Sequence, residues 1–178
     1  YNLSVGVSPT FIHSEQFESD LEEAPIDTNK ITNTLSNYDG VIIPGGFGKR
    51  GTTGKIGVIK YCRENDIPFL GICFGMQLAV VEFARFVVGL DDAHSAEINE
   101  DTQHPVISIL PDQHDIEDMG GTMRLGGQKS HTKQGTLTHD LYGDEYRERH
   151  RHRFEVNPEY IDQLEDHGLV FGSYKNNR

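Results

Sequence analysis

The chain has 178 residues, enough for one domain with a sizeable core. It carries 16 Lys and Arg residues against 28 Asp and Glu residues, a formal net charge of −12. This acidic balance argues against nonspecific binding to nucleic acid, because such binding depends on neutralising phosphates. No apolar run approaches the roughly 18 to 20 residues of a membrane span. We therefore expect no nucleic acid and no membrane among its partners.

Cysteine usage and the two ends of the chain indicate where the protein works. Two cysteines, Cys62 and Cys73, are too few for the disulfide framework of a small secreted protein. No signal peptide is recognisable at the start, so we expect a cytoplasmic protein. The chain starts at Tyr1, and residues 175–178 directly follow a strand-like run. From this we expect a piece of a larger protein.

The first half alternates between strand-like and helix-like segments. Its predicted strands are 4–7, 10–12, 41–43 and 67–72, and its predicted helices are 26–35, 54–65 and 76–88. Residues 41–43 form a short apolar run of the kind buried on both faces of a parallel sheet. The alternation predicts one α/β domain, residues 1–178, built on a parallel sheet.

The second half is less regular. We predict strands at 106–110, 153–156 and 169–174, and a helix from Asn157 to about His167. Between the first two of these strands lie an acidic stretch, 112–118, and a glycine-rich segment, 120–127. We predict neither a helix nor a strand for either segment.

The sharpest chemical signal is the run from Phe69 to Gln77. An apolar strand ends, Gly-x-Cys-x-Gly follows, and a strong helix begins at once. This is the arrangement of a nucleophile elbow with Cys73 in place of serine. A thiol at a helix N-terminus faces the positive end of the dipole, which favours the attacking thiolate. The alternative is a buried structural cysteine in a tight turn; we favour the nucleophile, and we interpret Cys62 as a packing residue.

A second glycine-bearing loop, 44–51, follows strand 41–43. Its backbone amides are suited to stabilising an oxyanion, although a Gly-Gly pair alone is equally typical of a flexible loop. The Gly-Lys-Ser/Thr ending of a phosphate-binding Walker loop is absent. Loops that follow neighbouring parallel strands converge at the carboxyl edge of the sheet, where ligands of α/β proteins bind.

Five runs together resemble the class I (triad-type) glutamine amidotransferases, and within them the glutaminase domains of the CTP synthase family. They are Pro44–Gly51, Gly71–Gln77, Ser95–Glu97, Gly120–Gly126 and Glu148–Asn157. The elbow is shared by many amidotransferases, whereas the last two runs are more discriminating. The resemblance covers nearly the whole chain from about Val7 onward. It implies a three-layer, flavodoxin-like parallel sheet with flanking helices, incomplete at both ends.

The resemblance also implies a role for individual residues. Cys73 would attack the side-chain amide of glutamine, and the backbone amides of Gly46 and Phe74 would form the oxyanion hole. The residues implied in binding glutamine are Gly45, Phe47, Gln77, Glu97 and Arg153. Glu97 would hold the ammonium and Arg153 the carboxylate, and a zwitterion does require one anion and one cation. Without the resemblance, Glu97 is one of 28 acidic residues, and 149–153 is equally typical of a solvated cationic edge.

Regulation and partners follow from the same resemblance. GTP would activate the glutaminase, with Arg50, Thr122 and Arg124 as effector candidates. The ammonia would pass to an N-terminal amidoligase domain that converts UTP to CTP with ATP and Mg, whereas this domain would need no cofactor or metal. The whole protein would be a homotetramer.

The sequence departs from the family pattern in one respect. The family takes its histidine base and orienting carboxylate from a His-Pro-Glu run, and no such run occurs in these residues. We therefore expect negligible turnover of glutamine by the 178 residues alone. Two alternatives stay open: a non-catalytic module that binds glutamine or GTP, and the glutaminase of another amidotransferase such as GMP synthetase.

Overall fold

Parallel strands followed by helices form the first half of the computed structural model, which describes residues 6–18, 26–109 and 124–175. Strand β1 (Val41–Ile43) pairs in parallel with β2 (Phe69–Gly71). The helices of this half are α1 (Thr28–Leu35), α2 (Thr52–Glu64) and α3 (Phe74–Phe83). A helix follows each strand, as a parallel connection requires. The predicted α/β alternation is confirmed here.

Helix α3 is the centre of the molecule. It contacts α2, both parallel strands and three strands of the second half. Its side chains are buried almost all round, with Leu78 and Val81 fully buried, so no single apolar stripe defines it. A π-helical turn, Ala84–Val88, continues it and ends at Gly89 with φ +84°. The helix starts two residues before the predicted Met76, because Cys73 already serves as its N-cap.

Two expectations for the first half are wrong. Residues 41–43 were expected to be buried on both faces, yet Ile42 is 64% exposed and Leu70 beside it is 53% exposed. Among the described residues, helices cover only the face of this sheet that carries Ile43. The predicted strand 10–12 is irregular backbone, and the predicted strand 4–7 lies partly outside the described residues.

The second half contains two small sheets. In the first, β3 (His94–Ser95) is parallel to β4 (Pro105–Ile109), and β4 is antiparallel to β7 (Phe154–Val156). In the second, β5 (Arg124–Thr132) pairs with β6 (Glu145–His152) and β8 (Ser173–Tyr174), in antiparallel fashion. The short helix α4 (Leu137–Tyr142) connects β5 to β6, and α5 (Ile161–Asp166) precedes β8. Within the described ranges, no helix combines the length and apolarity needed to cross a bilayer.

Candidate active site

Cys73 occupies the turn between β2 and α3 in an unusual backbone conformation. Its φ is 56° and its ψ is −106°, and its side chain is half-buried. Among the described residues other than glycine, only Asp66 shares a positive φ. A non-glycine residue held in a sparsely populated region points to a functional site. The backbone geometry is therefore that of a nucleophile elbow.

The glycines on either side of Cys73 are required by close packing. A Cβ at Gly71 would lie 2.7 Å from the backbone nitrogen of Met76 in α3. A Cβ at Gly75 would overlap the carbonyl oxygen of Ile43 in β1. Both separations are too short for any side chain, so α3 approaches the two strands this closely only with glycine at these positions.

The glycine loop, residues 44–51, faces the thiol across the edge of the sheet. The Cβ position of Gly45 is 3.8 Å from the Cys73 Sγ, and that of Gly46 is 3.7 Å from the Phe74 ring. Phe74 is the first residue of α3, where an amide has no partner within the helix. Backbone groups thus flank the thiol on two sides, and the assignment of the Gly46 and Phe74 amides to an oxyanion hole stays a prediction.

Glu97 and Arg153 come together beside the same loop. The backbone N–H of Gly48 donates to the Glu97 carboxylate, and Arg153 is close enough to act on it electrostatically. Burial raises the pKa of Glu97, while Arg153 and the Gly48 amide oppose that rise. An anion and a cation, with opposite preferences for the two ends of an amino acid, therefore lie beside the glycine loop.

Gln77 connects the nucleophile helix to β7. Its side chain is buried, and its amide nitrogen donates to the Phe154 carbonyl at 2.7 Å. Because Phe154 directly follows Arg153, this bond holds Arg153 at a set distance from α3. A role for Gln77 in binding glutamine stays a prediction.

The remaining candidates are distributed differently. Phe47 and Arg50 project from the glycine loop and are largely exposed. Arg124 begins β5, where its backbone pairs with His152. Thr122 lies outside the described residues. The structure thus places Gly45 and Phe74 beside Cys73, brings Glu97 and Arg153 together beside the glycine loop, and leaves Phe47 and Arg50 exposed on that loop.

Sequence reasoning missed His94, which lies on β3 near this site. Its pKa is lowered to about 4 by burial, with smaller contributions from Arg85 and Lys49. Its Nδ1 accepts the backbone amide of Ser95 at 2.9 Å. No local sequence pattern predicts this lowered pKa, because Arg85 and Lys49 come from different elements. The described residues contain no group of three or more His, Cys, Asp and Glu side chains able to hold a metal ion.

The elbow, the facing glycine loop and the adjacent carboxylate match a known family. The family model described as glutamine amidotransferase class-I matches residues 11–178. The chain belongs to the class I glutamine amidotransferase family. The predicted fold class agrees with this assignment.

Two curated relatives show which members of this family the chain is similar to. A CTP synthase from Natronomonas pharaonis is 64% identical over 145 residues, which are 81% of this chain and 26% of that protein. A CTP synthase from Methanococcoides burtonii is 52% identical over 170 residues, 95% of this chain and 30% of that protein. The chain therefore spans about a quarter to a third of the curated relatives it matches.

A solved structure agrees with these relatives. It is the glutaminase domain of Trypanosoma brucei CTPS with bound acivicin, and it matches with a TM-score of 0.85 at 34% identity. The match covers 96% of this chain and 63% of that chain. The amidotransferase fold is thus retained across nearly all of the 178 residues.

Proposed function

We propose that this chain is the glutaminase domain of a CTP synthase and that it hydrolyses glutamine to glutamate and ammonia through Cys73. The observation that carries the proposal is the strained elbow of Cys73, which faces the glycine loop. The family assignment and the CTP synthase relatives support it.

The chemistry proceeds through a thioester. The triad base takes the Cys73 thiol proton, and the thiolate forms a C–S bond to the side-chain carbonyl of glutamine. The C–N bond then breaks as the base returns that proton to the nitrogen, which leaves as ammonia. Water cleaves the thioester, which yields glutamate and restores the thiol. Negative charge on the carbonyl oxygen is stabilised by the amides of Gly46 and Phe74, which is the largest electrostatic contribution in such sites.

The amino-acid end of glutamine is bound by Glu97, Arg153 and Gln77. The Glu97 carboxylate takes the ammonium and the Arg153 guanidinium takes the carboxylate. Gly45 lines the position beside the thiol, and Phe47 borders the ligand from the outer side of the loop. A base and its orienting carboxylate complete the triad; the family's His-Pro-Glu run, which supplies them, does not occur among these residues.

The wider function follows the relatives' name. The ammonia passes to an N-terminal amidoligase domain that aminates UTP with ATP and Mg, and GTP activates the glutaminase through Arg50, Thr122 and Arg124. We place this activity in a cytoplasmic homotetramer. Relatives named CTP synthase, at 52% to 64% identity, favour this function over a GMP synthetase glutaminase or a non-catalytic module.

The nucleophile is tested by covalent labelling of the protein that carries this chain. A diazo-ketone analogue of glutamine is expected to alkylate Cys73 and leave Cys62 unmodified, as read by peptide mass spectrometry. Cys62 is buried and its pKa is raised by burial to about 11, so little thiolate forms there. A Cys73→Ser variant is the matched control and should not be labelled; labelling confined to Cys62 would contradict the assignment.

A further inference from the structure

A short segment upstream packs against the start of α2, where the glycine loop ends. We call residues Ser14–Glu18 the strap; they comprise a 3-10 turn, Ser14–Phe17, and Glu18. Phe17 is buried in the core, and the Glu18 carboxylate accepts the backbone amide of Gly54 at 3.2 Å. A Cβ at Gly54 would overlap the Ser14 carbonyl oxygen. The strap is thus anchored at the N-terminus of α2.

The strap also reaches the glycine loop by an ion pair. The Glu15 carboxylate pairs with the Arg50 guanidinium, at 34% and 85% side-chain exposure. Next to this pair, a Cβ at Gly51 would overlap the Ser14 hydroxyl. The end of the loop is therefore held by the ion pair between Glu15 and Arg50 and by the close approach of Ser14 to the Gly51 backbone.

A second cation, Lys55, contacts both Arg50 and the residue that follows Cys73. The Lys55 ammonium donates to the Arg50 carbonyl at 3.2 Å and lies 5.6 Å from the centroid of the Phe74 ring. Phe74 directly follows Cys73. Arg50 is thus held through its side chain by Glu15 and through its backbone by Lys55, which also contacts the start of the nucleophile helix.

The glycine loop needs such support. It contains glycines at 45, 46, 48 and 51, and glycine loses more conformational freedom on ordering than any other residue. An oxyanion hole is effective only if its amides are already oriented before charge develops. Contacts that order the loop therefore act directly on catalysis.

We propose that Glu15 is a positioning residue, which holds Arg50 and so keeps the glycine loop oriented toward Cys73 and Glu97. The proposal deepens the proposed function, because it rests on that loop serving the thiol. Glu15 itself does not touch the substrate. Its removal should loosen the loop and slow the steps that use the oxyanion hole, while the reactivity of the thiol toward a simple alkylating agent stays unchanged.

The first experiment measures loop order and does not depend on activity. Backbone amide exchange is followed by NMR in the wild-type chain and in Glu15→Gln, at the hydrogen-bonded amides of Gly48 and Thr52. We expect exchange there to accelerate about 1.5- to 5-fold, the range for an exposed ion pair, with amides of α1 unchanged. Unchanged exchange at Gly48 and Thr52 overturns the proposal, and a uniform increase that includes α1 overturns it as well.

A matched control removes a carboxylate from the other end of α2. Glu64 is exposed and pairs loosely with Lys60 at 3.9 Å and Arg63 at 3.6 Å. Glu64→Gln makes the same chemical change as Glu15→Gln away from the loop, so exchange at Gly48 and Thr52 should match wild type. Acceleration equal to that of Glu15→Gln would mean that net charge, not the ion pair, controls loop order.

The second experiment compares two labelling rates at Cys73 in the protein that carries this chain. Glu15→Gln should slow alkylation by the diazo-ketone analogue, whose ketone oxygen takes the place of the amide oxygen, and should leave the rate with iodoacetamide unchanged. The exchanged pair, Glu15→Arg with Arg50→Glu, should restore the protection of the Gly48 and Thr52 amides against exchange. Equal slowing with both reagents would overturn the positioning role.

The two experiments separate the two proposals. If the wild-type protein shows no labelling of Cys73 by the analogue, the proposed function fails, while amide exchange still decides whether Glu15 orders the loop. If labelling proceeds but does not respond to Glu15→Gln, the proposed function stands and the positioning role fails.

Discussion

Cys73 holds a backbone conformation that costs an ordinary residue about 1–3 kcal/mol. The neighbouring packing imposes it: Gly75 places α3 against the Ile43 carbonyl, and Gly71 lies against the first turn of α3. In this conformation the thiol lies beside Gly45 of the glycine loop. At the scale of single residues, the lack of a Cβ at Gly71 and Gly75 determines where the Cys73 thiol lies.

Substitution of Gly75 tests this packing. In Gly75→Ala the new methyl group would overlap the Ile43 carbonyl oxygen, so α3 must shift away from β1. We expect a loss of about 1–3 kcal/mol in the free energy of unfolding, as for other overpacked sites, measured by urea denaturation. Gly6→Ala, where a Cβ meets no atom within 4 Å, is the control and should change stability by less than about 0.5 kcal/mol. Equal stability of both variants would show that the contact is not close in solution.

The contact between helices α2 and α3 contains a largely buried charge. The Glu82 carboxylate is 1% exposed, and Arg63, 33% exposed, donates to it through Nε at 3.1 Å and a terminal nitrogen at 2.9 Å. A charge so buried is tolerated only with a partner. The pair therefore links the facing sides of α2 and α3.

Removing one partner should cost more than removing both. Arg63→Leu leaves the Glu82 carboxylate buried without its cation, and we expect a loss of about 1.5–3 kcal/mol in the free energy of unfolding. The double variant Arg63→Leu/Glu82→Leu should recover most of that loss, because no uncompensated charge remains. Urea denaturation of the single and double variants measures the difference. A double variant that is less stable than Arg63→Leu would show that the pair stabilises the fold in its own right.

Elements of the second half show why some structure was not predicted. Strand β5 contains two adjacent glycines, Gly126 and Gly127, and β6 consists of charged residues and histidines apart from Tyr146. Neither strand therefore shows the apolar alternation of a strand. Each is ordered by the other, with Arg124 opposite His152 and His131 opposite Glu145. Long-range backbone pairing, which no local pattern encodes, defines this ribbon.

On the scale of the whole molecule, the lowered pKa of His94 results from elements that are distant in the chain and meet in the fold. Lys49 comes from the loop after β1, and Arg85 comes from the turn that ends α3; both act on a half-buried imidazole in β3. Burial and two nearby cations all disfavour the protonated form. The assembled fold therefore holds His94 neutral over a pH range in which an unfolded chain protonates it.

This difference predicts the pH dependence of stability. The pKa of His94 is about 4 in the folded chain against an ordinary 6.5, so the unfolded state binds the proton first as pH falls. The contribution of neutral His94 is complete above pH 6.5 and is lost progressively toward pH 4. Relative to His94→Gln, the wild-type chain should lose stability over this window, measured by urea denaturation at pH 7.5, 6, 5 and 4. A constant difference between the two proteins across the window would contradict the depressed pKa.

The sequence alone determined where the elbow lies and which residue is the predicted nucleophile. Cys73 between two glycines, directly after a strand and before a strong helix, is a local pattern, and local geometry is what a short stretch of sequence encodes. Strand 41–43 was predicted with its observed limits, and helices α1 and α2 within about two residues, because apolar periodicity and caps are also local signals. The family resemblance rested on the same short runs.

Only the tertiary structure decided how these runs act together. The contact between Gly48 and Glu97, the bond from Gln77 to Phe154 and the pairing of Glu15 with Arg50 all join residues far apart in the chain. The exposure of Ile42, on a strand expected to be covered on both faces, was likewise invisible in its sequence. Which side chains meet depends on packing and charge across the whole chain, whereas a motif records only what its immediate neighbours require.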